Sequence, residues 1–221
     1  MGKRVGVLFS GAGHRDGSEI HEATLSLYFL DKAGAEIVAM APDKPQADVL
    51  DHQAGKPQGE GRNVRVESAR ISRGNVRDVA TVQASELDAL LIPGGYGAAK
   101  NLSTFASEGA NCSVDPEVAR LIREVHAQKK PIAALCIAPA VVAKVLGADH
   151  HVALTIGNDA GTKDALEALG ARHVERAADD IAVDEVHKIV STPCYMLAKG
   201  PAEVGAGIEK LVAQLFRWLA A

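Results

Sequence analysis

The chain has 221 residues, 47% of them apolar and 24% charged, with a formal net charge of -4. These values suit one domain, residues 1–221, with a substantial core. They exclude the basic footprint of a nucleic-acid binder or an anionic-membrane binder, and no apolar run reaches the roughly 20 residues of a membrane-spanning helix.

The opening run Met1-Gly2-Lys3-Arg4-Val5-Gly6-Val7-Leu8-Phe9-Ser10 turns polar too early for a signal peptide and predicts a first strand over Val5–Phe9. A helix follows from about Ser18 to Lys32, stopped by Ala33-Gly34, then a strand over Glu36–Ala41 closed by Pro42-Asp43. Residues 44–79 are polar and glycine-bearing, with Val64, Val66 and Ile71 as apolar anchors. They predict irregular loops around one short helix or hairpin. Leu87–Ile92 is the next strand and runs into Pro93-Gly94-Gly95-Tyr96-Gly97. Asp115-Pro116 opens a helix in which Val118, Leu121, Ile122 and Val125 recur at helical spacing. A strand over Pro131–Leu135, a helix from Ile137 to about Leu146, a strand over Val152–Ile156 and a helix near Thr162–Leu169 come next. Strands near Ile181–Val183 and Ile189–Ser191 precede a last helix from about Pro201 to Trp218. This alternation predicts an α/β three-layer sandwich, a mostly parallel sheet with helices on both faces.

Ligands of such sheets bind beyond the carboxyl ends of the strands, which points to the loops after Ser10, Ile92, Leu135, Ile156 and Ser191. Cys136 follows the buried strand on a sharp turn into a helix opened by Pro139, where the helix N-terminus favours a thiolate. An inert core thiol fits that stretch equally well. Glu22 shares a helical row with Leu25 and Phe29, which turns it inward. A buried carboxyl holds its proton to near neutrality and can act as general acid or base, although neutralising the helix N-terminus is the simpler role. Asp16 or Ser18 is the expected cap of that helix, with Glu19 completing an Asp-x-x-Glu box. The amides of Gly94, Gly95 and Ile137 offer an oxyanion hole, and a plain glycine-rich turn is the alternative. Gly11-Ala12-Gly13-His14-Arg15-Asp16-Gly17 opens like a dinucleotide fingerprint but places Asp16 where the third glycine belongs, which disfavours nucleotide binding. Tyr96, Asn158 and Cys194 stand on the same loops and are further pocket candidates, with a structural thiol the simpler reading of Cys194. Three scattered cysteines predict a thiol-reduced, cytoplasmic protein, and eight histidines without His-x-x-x-His spacing predict no metal.

Four stretches in order carry a resemblance: Asp16-Gly17-Ser18-Glu19-Ile20-His21-Glu22, Ile92-Pro93-Gly94-Gly95-Tyr96-Gly97-Ala98-Ala99-Lys100-Asn101-Leu102, Cys136-Ile137-Ala138-Pro139-Ala140 and Thr192-Pro193-Cys194-Tyr195-Met196-Leu197. Together they resemble the PfpI/ThiJ superfamily of class I glutamine-amidotransferase-like folds, and within it the enhancing-lycopene-biosynthesis (ElbB) subfamily, to which glyoxalase activity is assigned. The resemblance spans essentially the whole chain and implies a flavodoxin-like amidotransferase-type domain. It implies Cys136 as nucleophile, Gly95 and Ile137 as oxyanion-hole amides, and Glu22 as the family's glutamate, twelve residues before Gly34. Residues 100–114 resemble a subfamily insertion, which makes Asn101 and Cys112 pocket candidates. Relatives commonly dimerise, but Leu211, Leu215, Phe216 and Trp218 of the last helix suit a partner or the chain's own core equally well, so a homodimer and a monomer both stay open, with no cofactor implied. Many relatives also bring a histidine to the cysteine from a strand-end loop, but Leu154-Thr155-Ile156-Gly157-Asn158-Asp159 holds none. Without that base an amidase or peptidase triad is not expected. The implied activity is a cofactor-independent glyoxalase acting on glyoxal or methylglyoxal, with early glycation adducts as a related substrate class. The alternative is a redox-sensing or metabolite-binding protein linked to isoprenoid metabolism.

Overall fold

Successive residues of the central strands face opposite sides of one sheet, and both sides are apolar. Val5, Val7, Leu91 and Ala133 pack on one side, and Leu8, Leu90, Ile132 and Ala134 on the other. That period-two split, apolar both ways, is the signature of a sheet covered on two faces. The computed structural model describes residues 2–220, so Met1 and Ala221, the two ends of the expected domain, lie outside the described residues.

Along the chain, β1 (Arg4–Leu8) leads to α1 (Ile20–Lys32) and β2 (Glu36–Ala41). A small hairpin of β3 (Leu50–Asp51) and β4 (Lys56–Pro57) precedes α2 (Val64–Ile71) and β5 (Arg77–Asp78). Residues 44–79 thus hold both a hairpin and a helix. Next come β6 (Ala89–Ile92), the short helices α3 (Tyr96–Lys100) and α4 (Phe105–Glu108), α5 (Pro116–Ala127) and β7 (Ile132–Leu135). The chain closes with α6 (Pro139–His150), β8 (Ala153–Leu154), α7 (Ala160–Ala168), β9 (Arg172–His173), β10 (Ala182–Asp184), β11 (Ile189–Thr192) and α8 (Pro201–Ala220).

The seven-stranded sheet runs in the order β10-β11-β7-β6-β1-β2-β5. Every pairing in it is parallel except β10 against β11. One face carries α1 and α8, whose Leu30, Ile208, Leu211 and Leu215 are fully buried. The other carries α5 and α6, with Val118, Leu121, Ile122 and Val125 buried at the spacing the sequence predicts. The architecture is the mostly parallel, flavodoxin-like α/β sandwich expected. No helix among the described residues is long and apolar enough to cross a membrane.

Three local expectations are corrected. Helix α1 is capped by Glu19 itself, whose carboxylate accepts the Glu22 N–H at 2.8 Å, not by Asp16 or Ser18. Asp16 instead accepts the Leu50 N–H at 2.7 Å and holds the hairpin. Helix α6 starts at Pro139 and not at Ile137, because the Ala138 N–H closes a tight turn on the Leu135 carbonyl. The segment expected as a strand over Val152–Ile156 forms only two ladder residues, paired with β9 outside the main sheet. Its amides are captured by side chains instead: Ala153 N–H donates to Asp184 Oδ2 and Thr155 N–H to Ser191 Oγ.

Candidate active site

Strands β1, β6, β7 and β11 end together, and the loops leaving them build one cluster. Cys136 follows β7 directly and holds φ at 57°, a left-handed backbone that costs a non-glycine residue roughly 1–2 kcal/mol. Its N–H is tied to Thr192 O at 2.9 Å, so pairing with β11 fixes the turn that projects the thiol. Strain maintained by surrounding structure is characteristic of functional positions.

Glu22 lies one turn into α1 with its carboxyl fully buried. Oε2 accepts the Gly94 N–H at 3.0 Å and Oε1 the Tyr195 N–H at 3.2 Å, and the carboxyl also hydrogen-bonds Cys136. The Glu19 N–H in turn donates to Gly94 O at 2.9 Å, so the start of α1 is laced to the end of β6. Burial pushes the Glu22 carboxyl up to about 8, and the nearby Glu19 carboxylate adds to the effect against the three hydrogen bonds.

The amides of Gly95 and Ile137 lie beside the sulfur of Cys136 and favour its anionic form. Burial and the adjacent Glu22 nevertheless push its pKa well above that of an ordinary thiol. The expected thiolate at rest is corrected accordingly: helix α6 begins three residues on, and two amides do not offset desolvation beside an acid. Cys136 is 7% exposed, at the floor of a cavity of about 460 Å³. His14, Tyr96, Phe105, Thr162, Tyr195 and Met196 stand around it.

Gly94 is where close approach demands glycine. A Cβ there would lie 2.3 Å from Cys136 Cβ, 2.5 Å from Glu22 Oε2 and 2.9 Å from Leu135 O. Gly94→Ala is therefore expected to cost about 1–3 kcal/mol of stability through overpacking and to displace Glu22 from the thiol. Thermal unfolding measured beside thiol alkylation rate checks both effects, and an unchanged melting temperature refutes the close packing. Gly95 takes φ 95° as the cap of α3, which aims its amide at the sulfur.

A sequence model of the DJ-1/PfpI family matches residues 13–192. The chain belongs to the DJ-1/PfpI family. It is 44% identical to the human glutamine amidotransferase-like class 1 domain-containing protein 3, mitochondrial, over 96% of this chain and 82% of that protein. The zebrafish ES1 protein, mitochondrial, is 35% identical over 87% of this chain and 76% of its own length. A crystal structure of an isoprenoid biosynthesis protein with an amidotransferase-like domain from Ehrlichia chaffeensis superposes with a TM-score of 0.93. That protein is 38% identical, with 98% of this chain and 99% of its own covered. These relatives overturn the cytoplasmic expectation, because the human and zebrafish proteins are mitochondrial. Reduced cysteines and mild acidity do not separate one reducing compartment from another, so composition had no power to decide the matter.

Of the residues singled out in this DJ-1/PfpI chain, Cys136, Glu22, Gly94, Gly95 and Ile137 meet at one point. Tyr96 lines the cavity and is 56% exposed. Asn101, Asn158 and Cys194 do not line it. Asn101 is a buried staple: its Nδ2 donates to Ser10 O and Asp16 O, both at 2.8 Å, and its Oδ1 accepts the Ala47 N–H. Asn158 points to solvent, and Asp159 and Thr162 from the same segment reach the cavity in its place. Cys194 is fully buried, and burial raises its pKa. Cys112 is buried away from the cavity, while Phe105 and Ala106 of the same insertion line it.

His14 went unnoticed in the sequence because it sits inside the apparent nucleotide fingerprint. That loop folds on itself: the amides of Gly11, Gly13, Gly17 and Ser18 all donate within the protein, leaving no cradle for a pyrophosphate. His14 lines the cavity, and burial lowers the pKa of its ring, with the neighbouring His52 adding to the effect. At the rim, His21 Nδ1 and Tyr195 Oη lie 2.6 Å apart.

Proposed function

We propose that this chain is a glutathione- and cofactor-independent glyoxalase, converting glyoxal to glycolate and methylglyoxal to lactate. The observation that carries this reading is the buried Glu22 carboxyl hydrogen-bonded to Cys136, with the Gly95 and Ile137 amides aimed at the same atom. No imidazole hydrogen-bonds that thiol among the described residues. This disfavours a triad amidase, in which an imidazole takes the nucleophile's proton and passes it to the leaving amine. An aldehyde has no leaving group to protonate.

In the reactive form the pair carries one negative charge and one proton, shared between the carboxyl and the sulfur. Sγ forms a bond to the aldehyde carbon while the carbonyl π pair moves to oxygen, which the Gly95 and Ile137 amides face. Glu22 supplies the proton to that oxygen, giving a neutral hemithioacetal and a free Glu22 carboxylate. The carboxylate then removes the hemithioacetal C–H proton, leaving an enediolate, and returns it to the neighbouring carbon while the hydroxyl proton passes from the first oxygen to the second. The product is a 2-hydroxyacyl thioester on Cys136. Water cleaves the C–S bond, releasing the hydroxy acid and restoring the thiol. No electron leaves the substrate–enzyme pair, so no external oxidant or cofactor enters the balance. The apolar walls at Phe105 and Met196 suit a small dicarbonyl, and the same addition extends to early glycation adducts once the hemiaminal C–N bond breaks, the amine leaves with the hydroxyl proton and the aldehyde is restored. Members of this superfamily commonly form dimers, and a homodimer is part of the proposal.

The test is steady-state incubation of the purified chain with each dicarbonyl in the absence of glutathione, following acid produced as well as aldehyde lost. Multiple turnovers of acid are expected. Aldehyde loss that stops at one equivalent, without acid, identifies a thiol trap and ends the enzymatic reading.

A further inference from the structure

A second cavity, about 570 Å³, lies at the opposite end of the sheet and contains three histidines from three separate elements. His126 is in the last turn of α5, His150 ends α6, and His187 sits on the turn between β10 and β11. His126 Nε2 and His187 Nδ1 are 3.2 Å apart, and one ring nitrogen from each histidine falls within 4.8 Å of the others. The ring centroids lie 4.3, 5.4 and 5.5 Å apart. We propose that His126, His150 and His187 form a binding site for a borderline divalent transition-metal ion, Zn²⁺ in the first instance.

The spacing fits that ion. Zn–N bonds of about 2.05 Å in a tetrahedron place ligand nitrogens about 3.3 Å apart, so the His126–His187 pair already has the required separation. His150 is exposed and therefore free to turn the remaining distance. An all-imidazole set selects Zn²⁺, Ni²⁺ or Cu²⁺ over Mg²⁺ and Ca²⁺, which need oxygen ligands. Two twelve-residue helices, α5 and α6, both end at the cluster, and their carbonyl termini carry the negative pole that stabilises a cation. Buried Asp184 holds the third ligand in place: its Oδ1 accepts the His187 backbone N–H at 3.0 Å and its Oδ2 ties down Ala153. Three protein ligands leave the fourth position open to the cavity, where Lys129 and Lys188 favour water-derived hydroxide or another anion. The site is independent of the thiol chemistry, since α6 alone separates them by roughly 18 Å.

Titration of the chelator-treated chain with Co²⁺ and Zn²⁺ tests the proposal, run on the unmodified protein and on Cys136→Ala. One equivalent is expected to bind, with visible ligand-field bands of tetrahedral Co²⁺ that Zn²⁺ displaces and that survive in Cys136→Ala. His126→Ala, His150→Ala and His187→Ala should each weaken binding at least ~10-fold. His187→Ala keeps the backbone bond to Asp184, so an unchanged melting temperature separates ligand loss from misfolding. The proposal is overturned if Co²⁺ gives no tetrahedral bands, or if the signal persists in His187→Ala and disappears in Cys136→Ala. Several weak equivalents insensitive to all three histidine substitutions overturn it too.

Discussion

Cys136→Ala is expected to cut acid production from glyoxal and methylglyoxal by at least ~10³-fold, because no other group in the cavity can form the thioester. The same substitution should leave the fold intact. Alanine inherits the left-handed backbone at this position and removes only one sulfur from the edge of a cavity. Cys136→Gly relieves the backbone strain and should raise stability by about 1 kcal/mol. Product acid and melting temperature, measured for both variants, therefore separate chemistry from folding. An inactive variant that melts normally is the expected outcome, and retained turnover in Cys136→Ala sinks the mechanism. The experiment also decides between catalysis and sensing: a sensor thiol needs low pKa and exposure, whereas this one is nearly buried with its pKa raised.

What could be read from the sequence was what local patterns encode. Six of the seven strands of the central sheet (all but β5, inside the stretch expected as loops), the amphipathic face of α5, the elbow at Cys136 and the inward turn of Glu22 follow from periods of two and 3.6 and from proline and glycine placement. What escaped depends on contacts between distant segments. The strand near Val152 left the sheet because Asp184 and Ser191, more than thirty residues on, claim its amides. Asn101 appears in a suggestive loop, yet Ser10, Asp16 and Ala47 use all its polar capacity. Spacing rules for metals assume ligands on one element, so they overlook His126, His150 and His187, which meet only when two helix ends and a hairpin converge. The charge state of Cys136 is not legible in the sequence for a related reason. Helix position is visible in a sequence, while desolvation beside a buried acid is a property of the assembled core.

Glu22→Gln is expected to flatten two pH dependences that run in opposite directions in the unmodified protein. The native carboxyl holds its proton up to about 8, while an unfolded glutamate releases it near 4.5. Between those values the folded chain binds more protons than the unfolded one, so stability falls as pH rises, by about 1.4 kcal/mol per pH unit from this group. Below that window both states are protonated and the loss vanishes. Turnover follows the same ionisation with the opposite sign. Only after the pair has lost one proton can Cys136 attack while Glu22 still holds the other, so the rate should climb with pH and level off near 8. Activity is thus gained where stability is spent. In Glu22→Gln neither slope remains, and turnover falls at least ~10²-fold for want of the acid–base group. The amide also sets an NH₂ against either the Gly94 or the Tyr195 N–H, leaving one buried donor unmet at a cost of about 1–3 kcal/mol. The variant should therefore be the less stable protein at pH 5 and draw level with or overtake the unmodified one by pH 8.5. Calorimetric melting across that range reads the crossing directly, and parallel stability curves for the two proteins would show that the proton on Glu22 is not the one that couples folding to catalysis.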